Sequence, residues 1–308
     1  MVPESAERIR PGAVFLLAVL VALPFLPPLF TGFFGDDFRQ LSGAYRILED
    51  PGARIPAVLL PPSGGKGPEF LRPLYHLSFL PEMWLFGRQP VAFHAGNLLL
   101  HVFVSLSAAA AARRFFGGWI APAAAALLTA WHPLAVEPAG WISARATLLA
   151  TALGNTALLF AFQAGRRPRV AAFGAFVWLL ALCAKESAVG YGPVLFALSL
   201  SSGIPGARRR SHFRAVLTFA AVLLLYLGWR VFLFEGIGMR IYPDRPAFDP
   251  LSPGLWAEWV RGAVLVPAPF RRDAYPALAV AFGFPPAVLL LLASRRKAFL
   301  RGAGFVGL

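Results

Sequence analysis

The sequence predicts an all-α fold: a polytopic transmembrane helical bundle of about eight or more spans. Three observations carry that prediction. Apolar runs of roughly span length recur along the chain. Of its 308 residues 57% are hydrophobic and only 14% charged, with a mean hydropathy of +0.63, and a soluble domain needs more polar surface than this. The positive charges sit in tight clusters between the apolar runs. They form no continuous basic face, so the net charge of +14 points to a membrane topology and excludes a nucleic-acid partner. Cys183 is the single cysteine and has no partner for an internal disulfide.

A span takes about 20 apolar residues. The candidates are residues 11–34, 91–112, 119–132, 146–164, 170–184, 188–200, 213–234 and 276–293. The first follows Arg8 and Arg10 as a signal peptide would, but it is too long for one and no clear small-residue cleavage site follows, so it reads as a retained helix. Arg8/Arg10, Arg113/Arg114, the group Arg166, Arg167 and Arg169, the group Arg208–Arg210 with Arg214, and Arg295/Arg296/Lys297 fall on one side of these spans. The acidic residues beyond Glu7 fall on the other. Positive charge marks the cytoplasmic side, which predicts a multi-pass inner-membrane protein with a cytoplasmic N-terminus. Arg271/Arg272 is the exception, a basic pair on the outer side.

The outer side then holds a long first loop (35–90), a loop around His132–Glu137, the Lys185-Glu186 pair, and a later loop (235–275) whose stretch 255–266 reads as a helix lying in the interface. The whole chain, 1–308, reads as one transmembrane domain. Its last residues, "AFLRGAGFVGL", read like the start of a further span, so a fragment is expected. Runs such as Ala108–Ala112 are small-residue surfaces suited to close helix packing in lipid.

Candidate chemistry gathers on that outer side. Asp36 and Asp37 directly follow the first run; two adjacent carboxylates there suit a general base or a divalent-metal ligand, or simply end a hydrophobic helix. His94, Asn97 and His101, at i, i+3 and i+7, share one face of their span. They either shape a wet cavity or bond between helices. His132 and Glu137 lie in a proline-broken loop, and Trp141 and Arg145 follow it. The planar fork of Arg145 suits a phosphate, or anchors the helix at the interface. Lys185-Glu186 and Arg72 are outward-facing charges that run against the usual bias of outer loops, or plain loop polarity. A carboxylate base beside cations for a lipid phosphate describes a transferase better than a channel, whose charges sit nearer mid-membrane.

The stretches "GDDF" (35–38), "LRPLYHLSF" (71–79), "FHAGNLLLH" (93–101), "WHPLAVEPAGWISARATLL" (131–149) and "AKESAVGYGPVLF" (184–196) together resemble the C-type-fold, polyprenyl-phosphate-sugar-dependent glycosyltransferases. Among these, the bacterial relatives of the transmembrane and tetratricopeptide-repeat O-mannosyltransferases are nearest. The run from His132 to Arg145 is the most specific. The resemblance implies a C-type fold and transfer of a sugar, mannose in that group, from a polyprenyl-phosphate carrier to a protein, lipid or glycan acceptor on the non-cytoplasmic face. It implies Asp36 or Asp37 as catalytic base, Arg145, Lys185 and Arg72 around the donor phosphate, and His94, Asn97, His101, His132, Glu137 and Glu186 shaping the site. No cofactor is required; a divalent metal at Asp36 and Asp37 is permitted. Where such proteins often carry an acidic residue two positions after the arginine, this chain has Thr147, and its first loop carries a Pro/Gly-rich insert (61–68). Two other readings compete: a transporter or flippase of a lipid-linked substrate, and an inactive membrane assembly subunit.

Overall fold

The computed structural model describes residues 11–60, 70–116, 118–164, 167–201 and 209–234. They are helical almost throughout, with no strand among them. The later outer loop, its interfacial stretch 255–266, the candidate span 276–293, the pair Arg271/Arg272 and the insert 61–68 lie outside the described residues. The chain divides into two compact units, and nearly all described elements belong to the first. Of the described residues, the second takes the short segment Trp131–Ala135.

Helix α1 covers Pro11–Ala22. The first apolar run then loses α-geometry: Pro24, Pro27 and Pro28 lack the backbone N–H an α-helix needs, and the chain continues as two 3-10 segments to Phe30. The 35–90 loop is mostly helical. It contains α2 (Asp37–Glu49), α3 (Pro51–Leu59), α4 (Pro73–Leu77) and α5 (Leu80–Phe86). On α2 the buried residues are Asp37, Leu41, Ala44 and Ile47, the stripe of an amphipathic helix laid on a surface. Asp50 opens α3, its carboxylate accepting the Ala53 N–H at 3.2 Å. Tyr75, Phe79 and Met83 from α4 and α5 pack with Leu41, Phe93, Ile142 and Ala146 into a local core under these helices.

Helices α6 (Pro90–Phe116), α7 (Ile120–Trp131), α8 (Val136–Gly140), α9 (Arg145–Ala164), α10 (Pro168–Ala184), α11 (Gly192–Ser201) and α12 (Arg209–Phe234) follow. Among the described residues three stretches are long and apolar enough to cross a membrane: Pro90–Phe116, Ile142–Gln163 and Phe213–Phe234. Of the seven predicted runs that fall on described residues, three therefore reach full length and three are shorter apolar helices. Run 188–200 is divided, a 3-10 segment over Glu186–Tyr191 preceding α11. The long helices keep apolar side chains exposed, Leu99 at 71%, Leu224 at 68% and Phe232 at 78%, the surface a bilayer would cover.

The main core joins α9, α10, α11 and α12 around Trp178, Leu182, Leu195, Phe219 and Tyr226. Small residues let these helices close up. A β-carbon at Gly154 would overlap the ring of Tyr191, and one at Gly174 would press the Phe160 side chain. Side-chain contacts fix the helix directions. The start of α6 meets the start of α9 through Asn97 and Arg145, and their far ends meet through Phe115 and Phe162. Helix α10 runs back along α9, from the Phe160–Phe173 ring contact to the Lys185–Thr147 bond. Arg113, Arg114, Arg167 and Arg169 thus sit at one end of the bundle, and Asp37, Asn97, Arg145 and Lys185 at the other. For these described residues, the basic clusters and the candidate chemistry lie at opposite ends.

Candidate functional site at one end of the bundle

The site grows from the turn that starts α9. Ser143, Arg145 and Thr147 each hold a different part of the chain. Ser143 belongs to a 3-10 turn, Ile142–Ala144, whose N–H groups have no helical acceptor. Asp37 supplies one: its Oδ1 accepts from the Ser143 N–H at 2.9 Å and from the Ser143 hydroxyl at 2.6 Å. Its Oδ2 accepts from the Phe34 N–H at 3.1 Å. Asp37 is fully buried, so this carboxylate caps a helix 106 residues away, with the sign that a helix start favours. Gly35 makes the approach feasible. It takes φ +57° in the turn before Asp37, and a β-carbon there would meet the Trp141 ring at 3.9 Å. Asp36, its neighbour, is exposed and makes no capping bond.

Arg145 faces inward. It is 1% exposed, and its fork is spent on protein acceptors. Nε donates to Asn97 Oδ1 at 2.7 Å, Nη1 to the Ser78 carbonyl at 3.1 Å and to Glu82 at 3.0 Å, and Nη2 to the Phe93 carbonyl at 2.9 Å. The Phe79 ring lies 4.5 Å from the guanidinium carbon. Its charge is answered by Glu82 and four of its five N–H donors have protein acceptors, a geometry that gives the phosphate role expected of Arg145 no support. Asn97 completes the knot by donating to the Pro138 and Trp141 carbonyls at 3.2 and 2.9 Å. Gly96 leaves room for the ion pair, since a β-carbon there would run into the Glu82 carboxylate and come within 2.9 Å of Arg145 Nη2. Gly96→Ala should lower stability by about 1–3 kcal/mol through overpacking, read as a drop in the thermal unfolding midpoint in detergent. An unchanged midpoint would mean that the pair has room to move.

Thr147, one turn further along α9, accepts from Lys185 Nζ at 2.8 Å. Partial burial, and after it the Arg72 charge, draws the Lys185 ammonium below the ordinary lysine range, against the opposing pull of Glu137 and Glu186. Glu186 lies between two cations. Arg72 contacts its Oε2 through Nε and Nη2, each at 2.8 Å, and Arg230 Nη1 lies 3.9 Å from its Oε1. Tyr75 links the two halves of the site. Its hydroxyl donates to the Ser143 carbonyl at 2.9 Å, and the charges of Arg72, Arg145 and Asp37 all act on it.

The site thus brings together Asp37, Arg145, Asn97, Lys185, Glu186 and Arg72. Asp36 sits at its exposed edge, and Glu137, exposed on α8, is close enough to act on Lys185. His94 is buried beside it, with Nε2 3.1 Å from the Thr31 hydroxyl. His101 is deeper in α6 and packs its ring 4.4 Å from that of Phe25. His132 belongs to the second unit, where its Nδ1 accepts from the Leu134 N–H at 3.2 Å. Among the described residues no group of three or more His, Cys, Asp or Glu side chains converges as metal ligands would. Sequence reading missed Glu82, Ser143 and Arg230, and named Thr147 only as a departure from the resembling proteins. Arg230 carried a usable signal, an arginine inside an apolar span. Glu82 and Ser143 carry none that separates them from ordinary loop and helix polarity.

No protein-family model, no curated protein and no solved structure matches the chain.

Proposed function

We propose that this chain is a membrane glycosyltransferase that moves a sugar from a polyprenyl-phosphate carrier to an acceptor hydroxyl at this end of the bundle. The observation that carries the reading is the start of α9. Within about one helical turn, Ser143 fixes Asp37, the chain neighbour of Asp36, and Thr147 fixes Lys185, so a carboxylate and an ammonium are held by one rigid element. The motif resemblance noted in the sequence adds the donor class. The C-type arrangement, further spans and an outer, non-cytoplasmic location for this end belong to the same reading.

The chemistry needs few groups. Asp36, the exposed carboxylate, takes the proton of the acceptor hydroxyl as its oxygen attacks the anomeric carbon. The bond from that carbon to the phosphate oxygen breaks, and polyprenyl phosphate leaves with the electron pair. A single displacement inverts the anomeric configuration. Lys185 and Arg72 steady the leaving phosphate, and the positive end of the α9 dipole adds to them. Asp37 and Arg145 brace the turn and take no proton.

The test is transfer itself. Membranes containing the full chain should release polyprenyl phosphate and yield glycosylated acceptor with at least one member of a panel of polyprenyl-phosphate sugars, assayed with and without chelator. No transfer above membranes lacking the chain, from any donor and with the protein confirmed in the membrane, overturns the reading. Movement of the intact lipid-linked sugar across liposomes without transfer would replace it with transport.

A further inference from the structure

A cavity of about 310 Å³ opens between α2, α3 and α4, lined by Gly43, Arg46, Ile47, Arg54, Arg72 and His76, among others. Three arginines from three segments line it, and no carboxylate is among its described lining residues. Arg46 and Arg54 are exposed and form no ion pair among the described residues. Glu49, three residues after Arg46, forms no ion pair with it among the described residues, and Asp50, four residues from each, turns its carboxylate to the Ala53 N–H. Arg72 alone is matched, by Glu186. Like charges brought together with fewer counter-ions than charges repel one another and concentrate anions. The remainder of the lining suits an ester more than a bare ion. Ile47 and Phe70, with Ala57 and Val58, make an apolar wall, and Gly43 faces open space. Burial, and then the Arg72 charge, lowers the His76 pKa, so that ring contributes a neutral hydrogen-bonding edge at physiological pH.

We propose that this groove binds the phosphate of a phosphate monoester or diester through Arg46, Arg54 and Arg72, with the organic part of the ester against Ile47, Val58 and Phe70. It rests on the transferase reading only for identifying the ester as the lipid carrier; the binding site stands on its own arginines. Planar forks from three separate segments suit a tetrahedral anion better than lysines would.

The test is binding to the purified full chain in neutral detergent, measured by calorimetry with farnesyl phosphate, inorganic phosphate and farnesol as separate probes. Farnesyl phosphate should bind, farnesol should not, and Arg46→Ala with Arg54→Ala should weaken binding about tenfold per arginine. Arg46→Lys with Arg54→Lys should fall between, which separates charge from lost folding, and Arg114→Ala, at the opposite end of the bundle, should bind as wild type. If inorganic phosphate binds as tightly as farnesyl phosphate and loses the same factor in the double variant, the anion site is supported with a soluble source. If farnesyl phosphate binds more tightly, it is supported with a lipid source. Equal binding by wild type and the double alanine variant, or no binding of either phosphate, overturns the site. Because binding is read without sugar transfer, an inactive chain that still binds farnesyl phosphate would sink the transferase reading alone.

Discussion

Arg145→Ala should sharply lower the unfolding midpoint and the yield of folded protein. The variant leaves the Glu82 carboxylate, 17% exposed, facing the Phe79 and Phe93 side of the local core without a counter-ion. It also removes the donors now used by Asn97, the Ser78 carbonyl and the Phe93 carbonyl. Breaking a buried pair by deleting one partner costs about 3–5 kcal/mol, comparable with the whole stability of many domains, about 5–15 kcal/mol. Arg145→Lys should recover part of this, because one ammonium cannot serve four acceptors spread around a planar fork. Replacing both partners, as Arg145→Met with Glu82→Leu, should recover more than the lysine, since no unpaired charge remains. The readouts are the yield of monodisperse protein in detergent and the thermal unfolding midpoint. A wild-type midpoint for Arg145→Ala would contradict the brace and restore Arg145 as a candidate phosphate ligand.

The sequence made the ends of the bundle legible but not the pairings within them. Positive clusters at Arg113/Arg114 and Arg167/Arg169 alternate with acid-containing loops, and that alternation alone sorted the chemistry to one end. The i, i+3, i+7 spacing placed His94, Asn97 and His101 on one face, and all three are buried. Which charge meets which was not readable. Glu82 lies 63 residues from Arg145 in a stretch that reads as loop, and Asp37 reaches Ser143 across 106 residues; local spacing holds no trace of either. The first loop hid its helices because prolines at 51, 56, 73 and 81 resemble breakers, yet most of them sit in the first turn of a helix, where the missing N–H costs nothing. The first apolar run differs in the opposite direction. Its composition promised one helix over 11–34, and Pro24, Pro27 and Pro28 end the α-geometry at Ala22.

The structural inequality of the two adjacent aspartates makes a sharper prediction about turnover. Asp37 carries three donors and closes the turn under α9, whereas Asp36 is exposed with no capping bond. Under the transferase reading, Asp36→Asn should lower turnover about 100- to 10,000-fold, the usual worth of a general base. Its unfolding midpoint should match wild type, and donor KM should change little because the phosphate is held elsewhere. Asp37→Asn should do the reverse. An amide has one acceptor oxygen, so its NH2 must face either the Phe34 N–H or the two Ser143 donors, and a buried donor is left unmatched at about 1–3 kcal/mol. Turnover per folded molecule should then stay within a few-fold of wild type while the midpoint falls. Full turnover by Asp36→Asn, together with an inactive but normally stable Asp37→Asn, would exchange the two roles: the proton would pass to the carboxylate that now caps the helix, and Ser143 would have to release it during each cycle.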